Sequence, residues 1–141
     1  MNKSDSCSRM INEGINKIGE IYYLSESLPE SRIRELITQT VILAKKIYNQ
    51  LELKPEYISE LTLFHNYFMD SASIIIFKYC DLILGKKAVN ISEYTEKMES
   101  VFSKLKSSFQ TQLNSMFSMD ILKFNTEIEV LMKTLKSEEK L

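Results

Sequence analysis

Apolar residues recur at spacings of three and four along most of the chain, which is typical of amphipathic helices. A first helix is predicted to bury one stripe: Ile11, Ile15, Ile18 and Tyr22. Pro29 follows this helix and suits the first turn of the next one, where its missing N–H costs nothing. The second helix is predicted to bury eight residues: Ile33, Leu36, Ile37, Thr40, Ala44, Ile47, Tyr48 and Leu51. A break at residues 53–55 is expected to end it.

The third helix is predicted to be the long one, from about Pro55 to Leu84, with Gly85 as its C-cap. Its main apolar face consists of eight residues: Tyr57, Leu61, Phe64, Phe68, Ala72, Ile75, Tyr79 and Leu82. Five residues gather on nearly the opposite side, and we define them as the candidate interaction surface: Leu63, Tyr67, Asp70, Ile74 and Phe77. A helix that is apolar on two sides is either central in its bundle or half of an interface. The central position is the commoner case, and the interface is the alternative.

A fourth helix is predicted to start at Asn90, because Glu93 stands three residues on in a capping-box-like arrangement. Its stripe has the heptad spacing of a coiled-coil-like pairing: Tyr94, Met98, Val101, Leu105, Phe109, Leu113 and Met116. Residues 118–120 are interpreted as a weak break, after which Asn125 caps a last helix that carries Ile128, Leu131, Met132 and Leu135. The sequence therefore predicts an all-α fold, a single antiparallel bundle of four or five helices with one long central helix. The domain spans residues 1–141, and residues 1–28 form an amphipathic N-terminal helix.

The composition fits such a helical protein and excludes several classes. Of 141 residues, 44% are hydrophobic and 26% charged, and three Gly and two Pro are too few for a fold rich in tight turns. The net charge of −1 lacks the basic excess of a nucleic-acid binder, so no nucleic acid is expected as a partner. Two Cys do not make a disulfide framework, which favours the cytoplasm. The most apolar stretch, residues 72–84, is interrupted by Lys78 and Asp81 and falls short of the ~20 residues that cross a bilayer, so no transmembrane segment is predicted.

Few residues are candidates for chemistry. His65 is the only histidine, which excludes two-histidine metal motifs, and it is expected to be structural at the edge of the main apolar face of the third helix. Cys80 is interpreted as a packing residue. Asp70, beside Ser71, is unusual inside a helix and predicts a kink, a cap or a polar contact. The sequence thus predicts no catalytic, cofactor-binding or metal-binding residue and no cofactor.

A resemblance to a known family adds to this. Three stretches carry it, each with its continuation: residues 67–72 with Tyr79 and Leu82; Asn90-Ile91 with Phe109, Leu113, Phe117 and Asp120; and residues 126–131 with Leu135-Lys136. On these residues the chain from about Ile33 to Leu141 resembles the 5-bromo-4-chloroindolyl phosphate hydrolysis family, the XpaC-like proteins. The resemblance implies a bacterial intracellular helical protein associated with toxic-anion-resistance (TelA-like) proteins, which are long and helical themselves.

Three functions remain open after this comparison. The first is a non-enzymatic helical interaction module, whose partner is a helical protein of the TelA-like kind or a second copy of the chain. The second is a hydrolase of phosphate esters, which the family name suggests, although hydrolysis needs a nucleophile or a metal together with cations for the phosphoryl oxygens. The third is a peripheral protein at the inner membrane face that attaches through the first helix. The sequence leaves open whether that helix packs on its own bundle or on a neighbour.

Overall fold

The computed structural model describes residues 3–85 and 90–139, and the regular elements within them are all helical. They follow in this order: α1 (Lys3–Glu26), α2 (Arg32–Leu53), a 3-10 helix (Pro55–Leu61), a π-helix (Phe64–Met69), α3 (Asp70–Leu84) and α4 (Ile91–Glu139). The predicted all-α bundle is confirmed for this part of the chain. Residues 1–2, 86–89 and 140–141 of the predicted domain lie outside the described residues.

Polar side chains and prolines set the ends of the helices. Ser31 is the N-cap of α2, where its hydroxyl accepts a hydrogen bond from the backbone N–H of Arg34 at 3.4 Å. The sequence predicted Pro29 in the first turn of α2. The structure instead places it in the loop before the N-cap. Pro55 begins the 3-10 helix as predicted. Asn90 accepts from the N–H of Glu93 at 3.4 Å and caps α4.

The helices pack with consecutive members antiparallel. α1 and α2 form an antiparallel hairpin in which Gly14 faces Tyr48. Nearer the start of α1, the Cys7 thiol donates a hydrogen bond to the carbonyl of Pro55, just after the end of α2, at 3.3 Å. The first helix thus packs on its own bundle, against α2 and the helical segment after it. α2 lies between α1 and α4 and runs parallel to α4, since Gln39 contacts Lys106 and Gln50, further along, contacts Asp120. α2 is the helix at the centre of the bundle.

The buried faces agree with the sequence pattern best in α2. All eight residues predicted there are buried, with Leu43 beside them. The stripe predicted for α1 is partly wrong, because Ile15 and Tyr22 are exposed at 41% and 48%. The buried line of α1 instead passes through small residues, among them Cys7, Gly14 and Ser25. Small side chains let α1 approach α2 closely, and a hydrophobicity pattern does not register them.

The helical segment from Pro55 to Leu84 is continuous, but its buried face changes phase in the π-helix. A π-helical turn contains more residues than an α-helical turn, so each later residue is displaced around the axis. His65 and Met69 become fully buried in place of Phe68, which is only partly buried, and Ile76 replaces Ile75. This shift is why a uniform period of 3.6 residues misplaced part of the core face.

The longest helix is α4, with 49 residues, and not the third helix as expected. The weak break predicted at residues 118–120 is absent, so the fourth and fifth predicted helices are one helix. Its first part packs on the bundle through Met98, Phe102, Phe109, Leu113 and Met116. From Ile121 to Glu139 every described residue is exposed. We call this projecting part the α4 arm.

Two glycines of α1 test the packing against α2. A Cβ at Gly14 would overlap the Tyr48 ring, which is fully buried and cannot move away, whereas a Cβ at Gly19 meets nothing within 4 Å. We expect Gly14→Ala to lower the free energy of unfolding by about 1–3 kcal/mol through overpacking. Gly19→Ala should raise it by about 0.5–1 kcal/mol through helix propensity. Urea unfolding of both variants checks this, and equal effects of the two would contradict the close packing.

Candidate functional site

The candidate interaction surface lies on the outside of the bundle. Its four apolar members, Leu63, Tyr67, Ile74 and Phe77, are each between 54% and 63% exposed. Leu63 lies just before the π-helix, Tyr67 lies within it, and Ile74 and Phe77 lie in α3, so the four form an exposed apolar group along this helical segment. Tyr67 also packs edge-on against Phe68, with 5.5 Å between ring centroids. Large apolar side chains in a contiguous exposed group mark binding surfaces more often than isolated ones do.

Asp70 sits in the middle of this surface, at the first position of α3. Its carboxylate forms an ion pair with the ammonium group of Lys17, which reaches over from α1. The side chain of Asp70 is about half exposed and that of Lys17 is 24% exposed. Asp70 therefore makes a polar contact between two helices, one of the roles that its position in the sequence suggested.

A groove between α1 and α3 extends the surface. It encloses about 530 Å³ and is lined on the α1 side by Tyr23 and Leu24 and on the α3 side by Ile74 and Phe77. Tyr23 is 76% exposed, the most exposed aromatic side chain among the described residues. Tyr23 was not predicted as a surface residue of interest, because it lies off the predicted apolar stripe of the first helix. An aromatic residue on the polar side of an amphipathic helix was the signal that could have found it.

A second cluster joins the buried side chains of His65 and Tyr48 to Glu13, whose carboxylate is about half exposed on α1. The Nε2 atom of His65 is 2.8 Å from a carboxylate oxygen of Glu13, and its Nδ1 atom is 2.6 Å from the hydroxyl of Tyr48. A carboxylate can only accept, so Nε2 of the neutral ring carries the proton and Tyr48 donates to Nδ1. His65 is 2% exposed and Tyr48 is fully buried. His65 is thus deeper than the edge position expected from the sequence.

The electrostatics of this cluster hold its protons in place. The hydrogen bond from His65 lowers the pKa of Glu13 below its ordinary value of 4.5. Burial, together with the nearby negative charge of Glu13, raises the pKa of Tyr48 far above its ordinary range. The phenol therefore stays protonated as a donor, and the carboxylate stays ionised as an acceptor. Both ring nitrogens of His65 are occupied, so the cluster can connect α1, α2 and the π-helix.

A third cluster fixes the direction in which α4 leaves the bundle. Asp120 accepts a hydrogen bond from Gln50 at 2.9 Å and another from the hydroxyl of Tyr57. That second bond, with desolvation, raises the pKa of Tyr57 to about 12. One turn on, Lys123 lies over the Tyr57 ring at 4.8 Å and pairs with Glu56 at 3.5 Å. Asp120 was expected to help break the helix, but its side chain instead attaches α4 to α2 and the 3-10 helix.

The remaining candidate for nucleophilic chemistry is Cys80. It is buried, and burial raises the pKa of its thiol, which keeps the less reactive neutral form. Within the described ranges, no three His, Cys, Asp or Glu side chains are grouped so that they could hold a metal ion. Across the same ranges, no helix has the length and apolar character that spanning a membrane requires.

The described residues define an all-α helical bundle with an exposed apolar surface, a Glu–His–Tyr network whose His and Tyr are buried, and a projecting helical arm. Comparison with known protein families then identifies the family of this chain. The chain belongs to the family described as 5-bromo-4-chloroindolyl phosphate hydrolysis protein, whose sequence model matches residues 2–131. No curated protein and no solved structure shows a significant match to the chain.

The family match agrees with the resemblance seen in the sequence and extends it. The match begins at residue 2 and so includes α1, whereas the resemblance read from the motifs began only at about Ile33. It ends at residue 131, within the α4 arm. The bundle, the candidate interaction surface and the arm as far as Leu131 therefore lie within the matched residues.

Acid sensitivity tests the Glu13–His65 hydrogen bond. Because folding lowers the pKa of Glu13, its contribution to stability is present above pH 4.5 and is lost as the pH falls through the lowered value. Glu13→Gln should therefore lower Tm near neutral pH, and the difference from the parent should shrink below about pH 4. Glu20→Gln, on an exposed residue of the same helix, is the matched control. A Tm difference that stays constant from pH 7 to pH 3 would contradict the network.

Proposed function

We propose that the protein is a non-enzymatic interaction module that binds an amphipathic helix of another protein along the candidate interaction surface. One observation carries the proposal: Leu63, Tyr67, Ile74 and Phe77 are all more than half exposed although they are spaced like a core stripe. Residues at such spacing present a ridge that a second helix can pack against. Burying this ridge is the role that a partner helix would fill.

The shape and chemistry of the surface support a helical partner. From Leu63 to Phe77 the stripe runs roughly 21 Å at the rise of a helix, which is about four turns of a bound helix. The groove between α1 and α3 provides a lateral wall through Tyr23. Aromatic side chains are enriched among residues that dominate binding energy. The Lys17–Asp70 ion pair offers a polar contact in mid-stripe that would set the partner's orientation.

The family resemblance suggests which partner to test first. It associates XpaC-like proteins with toxic-anion-resistance (TelA-like) proteins in the bacterial cytoplasm, and such a long helical protein supplies the amphipathic helix that the proposal needs. Pull-down of the intact protein from its native host, followed by identification of what is bound, tests this choice. Binding should depend on the candidate interaction surface, as described next.

Substitution of two isoleucines of α3 distinguishes an effect on partner binding from an effect on stability. Ile74 is 54% exposed on the surface, while Ile76 is fully buried. We expect Ile74→Ala to change the free energy of unfolding by less than about 1 kcal/mol and to weaken partner binding clearly. Ile76→Ala should cost about 2–5 kcal/mol of stability, as deletion from a packed core does. Urea unfolding and the pull-down are measured on both. Undiminished capture by Ile74→Ala and by Tyr67→Ala would sink the proposed surface.

The family's description also names a hydrolysis reaction, which makes a phosphate-ester hydrolase the second candidate function. Such an enzyme would have to use Asp70, His65 or Cys80. Asp70 is paired with Lys17, and both His65 and Cys80 are buried. We expect the purified protein to show no turnover of chromogenic phosphate esters, with or without added divalent metal. Turnover that co-purifies with the protein and is lost in Asp70→Asn or His65→Ala would overturn the interaction module.

A further inference from the structure

The α4 arm carries a large amount of apolar surface that the bundle does not cover. Eight of its residues are large, apolar and at least 44% exposed: Ile121, Leu122, Phe124, Ile128, Val130, Leu131, Met132 and Leu135. An isolated helix of this length has marginal stability in water, because most helical stability in proteins comes from packing of an apolar face. The arm is therefore a helix whose apolar face has no neighbour within the described chain.

Six exposed residues form a continuous heptad seam at the base of the arm and along it. They follow at spacings of four, three, four, three and four: Phe117, Ile121, Phe124, Ile128, Leu131 and Leu135. This is the a/d repeat of a coiled coil, with Ile121, Ile128 and Leu135 at the a positions. We call these six residues the arm seam.

The arm seam stops abruptly where the bundle begins. Continued towards the N-terminus in the same register, its next positions are exposed and polar: Asn114, Gln110, Ser107 and Ser103. Two helices that ran parallel from the bundle outwards would bring these polar residues together before the apolar ones. The apolar positions are instead centred near residue 126, within the projecting part. Such a limited seam suits two arms that overlap from opposite directions.

We propose that two copies of the chain associate through their α4 arms as an antiparallel two-stranded coiled coil. The two-fold axis passes near residue 126, so that each layer joins an a position to a d position. Phe124 faces Ile128 of the partner subunit. Ile121 faces Leu131 of the partner subunit, and Phe117 faces Leu135 of the partner subunit. Every layer on each side of the axis contains only apolar residues.

A second copy fits this seam for two reasons. First, the spacing is self-complementary, since reversing the arm brings all six apolar positions onto apolar positions, and it places the two bundles at opposite ends. Second, each half-exposed side chain offers roughly 80 Å² of apolar surface, so the pair buries about 1,000 Å² of seam alone, the size at which a specific interface becomes stable. Met132 beside the seam adds to this area.

The attachment at Asp120 keeps the seam available. Its bonds to Gln50 and Tyr57 hold the helix to the bundle one residue before Ile121. Asp120 and Met116 lie on the side that faces the bundle, and Phe117 and Ile121 lie on the neighbouring side. The arm therefore leaves the bundle with its seam open to a second arm and separate from the candidate interaction surface, so the two proposals can fail independently.

Sedimentation of the full chain tests the association. We expect a dimer, and we expect the double variant Phe124→Ala/Leu131→Ala to weaken dimerisation about 100-fold or more, since a few central aromatic and apolar residues dominate the binding energy of such an interface. The matched control Leu122→Ala/Val130→Ala removes equally exposed residues outside the seam and should change it less than about threefold. A parent protein that stays monomeric, or a seam variant that dimerises like the control, would overturn the proposal.

Orientation is tested by crosslinking and by charge. Asn125 lies next to the two-fold axis on one flank of the seam, so Asn125→Cys should be joined to its copy by a short bifunctional thiol crosslinker, whereas the parent with its buried Cys7 and Cys80 should not be crosslinked. Glu127 faces its own copy across the axis, so Glu127→Gln should tighten the dimer by removing a like-charge pair. In a parallel pair neither position meets its copy. No crosslink and no tightening in a dimeric protein would overturn the antiparallel arrangement.

Discussion

Three elements of the bundle meet at the side chain of Tyr48. Its ring packs on Gly14 of α1, and its hydroxyl is hydrogen-bonded to His65 of the π-helix. Its ring centroid lies 5.3 Å from that of Phe64, whose own centroid lies 4.9 Å from that of Phe109 in α4. A buried phenol must have a partner for its hydroxyl and room for its ring. The missing side chain at Gly14 and the imidazole of His65 meet these two needs. The close approach of α1 leaves room for the Tyr48 ring, and the π-helix buries the His65 imidazole that bonds its hydroxyl.

The fold could be predicted from the sequence wherever large apolar residues mark the buried face. α2 is such a helix, and its whole face followed from the spacing of residues such as Ile37, Ile47 and Leu51. In α1 the buried face includes Gly14 and Ser25 beside Ile18 and Ile21, and these two small residues carry no hydrophobic signal. The π-helix was not predictable either, because the spacing of apolar residues through Phe64 and Phe68 fits an ordinary α-helix.

The same limits apply to the candidate surface. The side of the helix on which Leu63, Tyr67, Ile74 and Phe77 lie followed from the spacing alone, and the structure finds those side chains exposed. The sequence favoured a central helix for this segment because two apolar sides usually mean two packed sides. Only the positions of α1 and α4 decide which side is covered, and that depends on contacts far apart in the chain. The role of Asp120 was hidden for this reason, since its partners lie about 70 residues away.

Because α4 is unbroken, it is also a mechanical lever. Its inner part is held among core residues such as Phe109 and Met116, and its outer part extends roughly 28 Å beyond Asp120. A rigid rod transmits tilt without loss, so a rotation of about 10° at the rim of the bundle would move the tip by about 5 Å over that length. Small repacking in the core is therefore converted into a large displacement at Leu135.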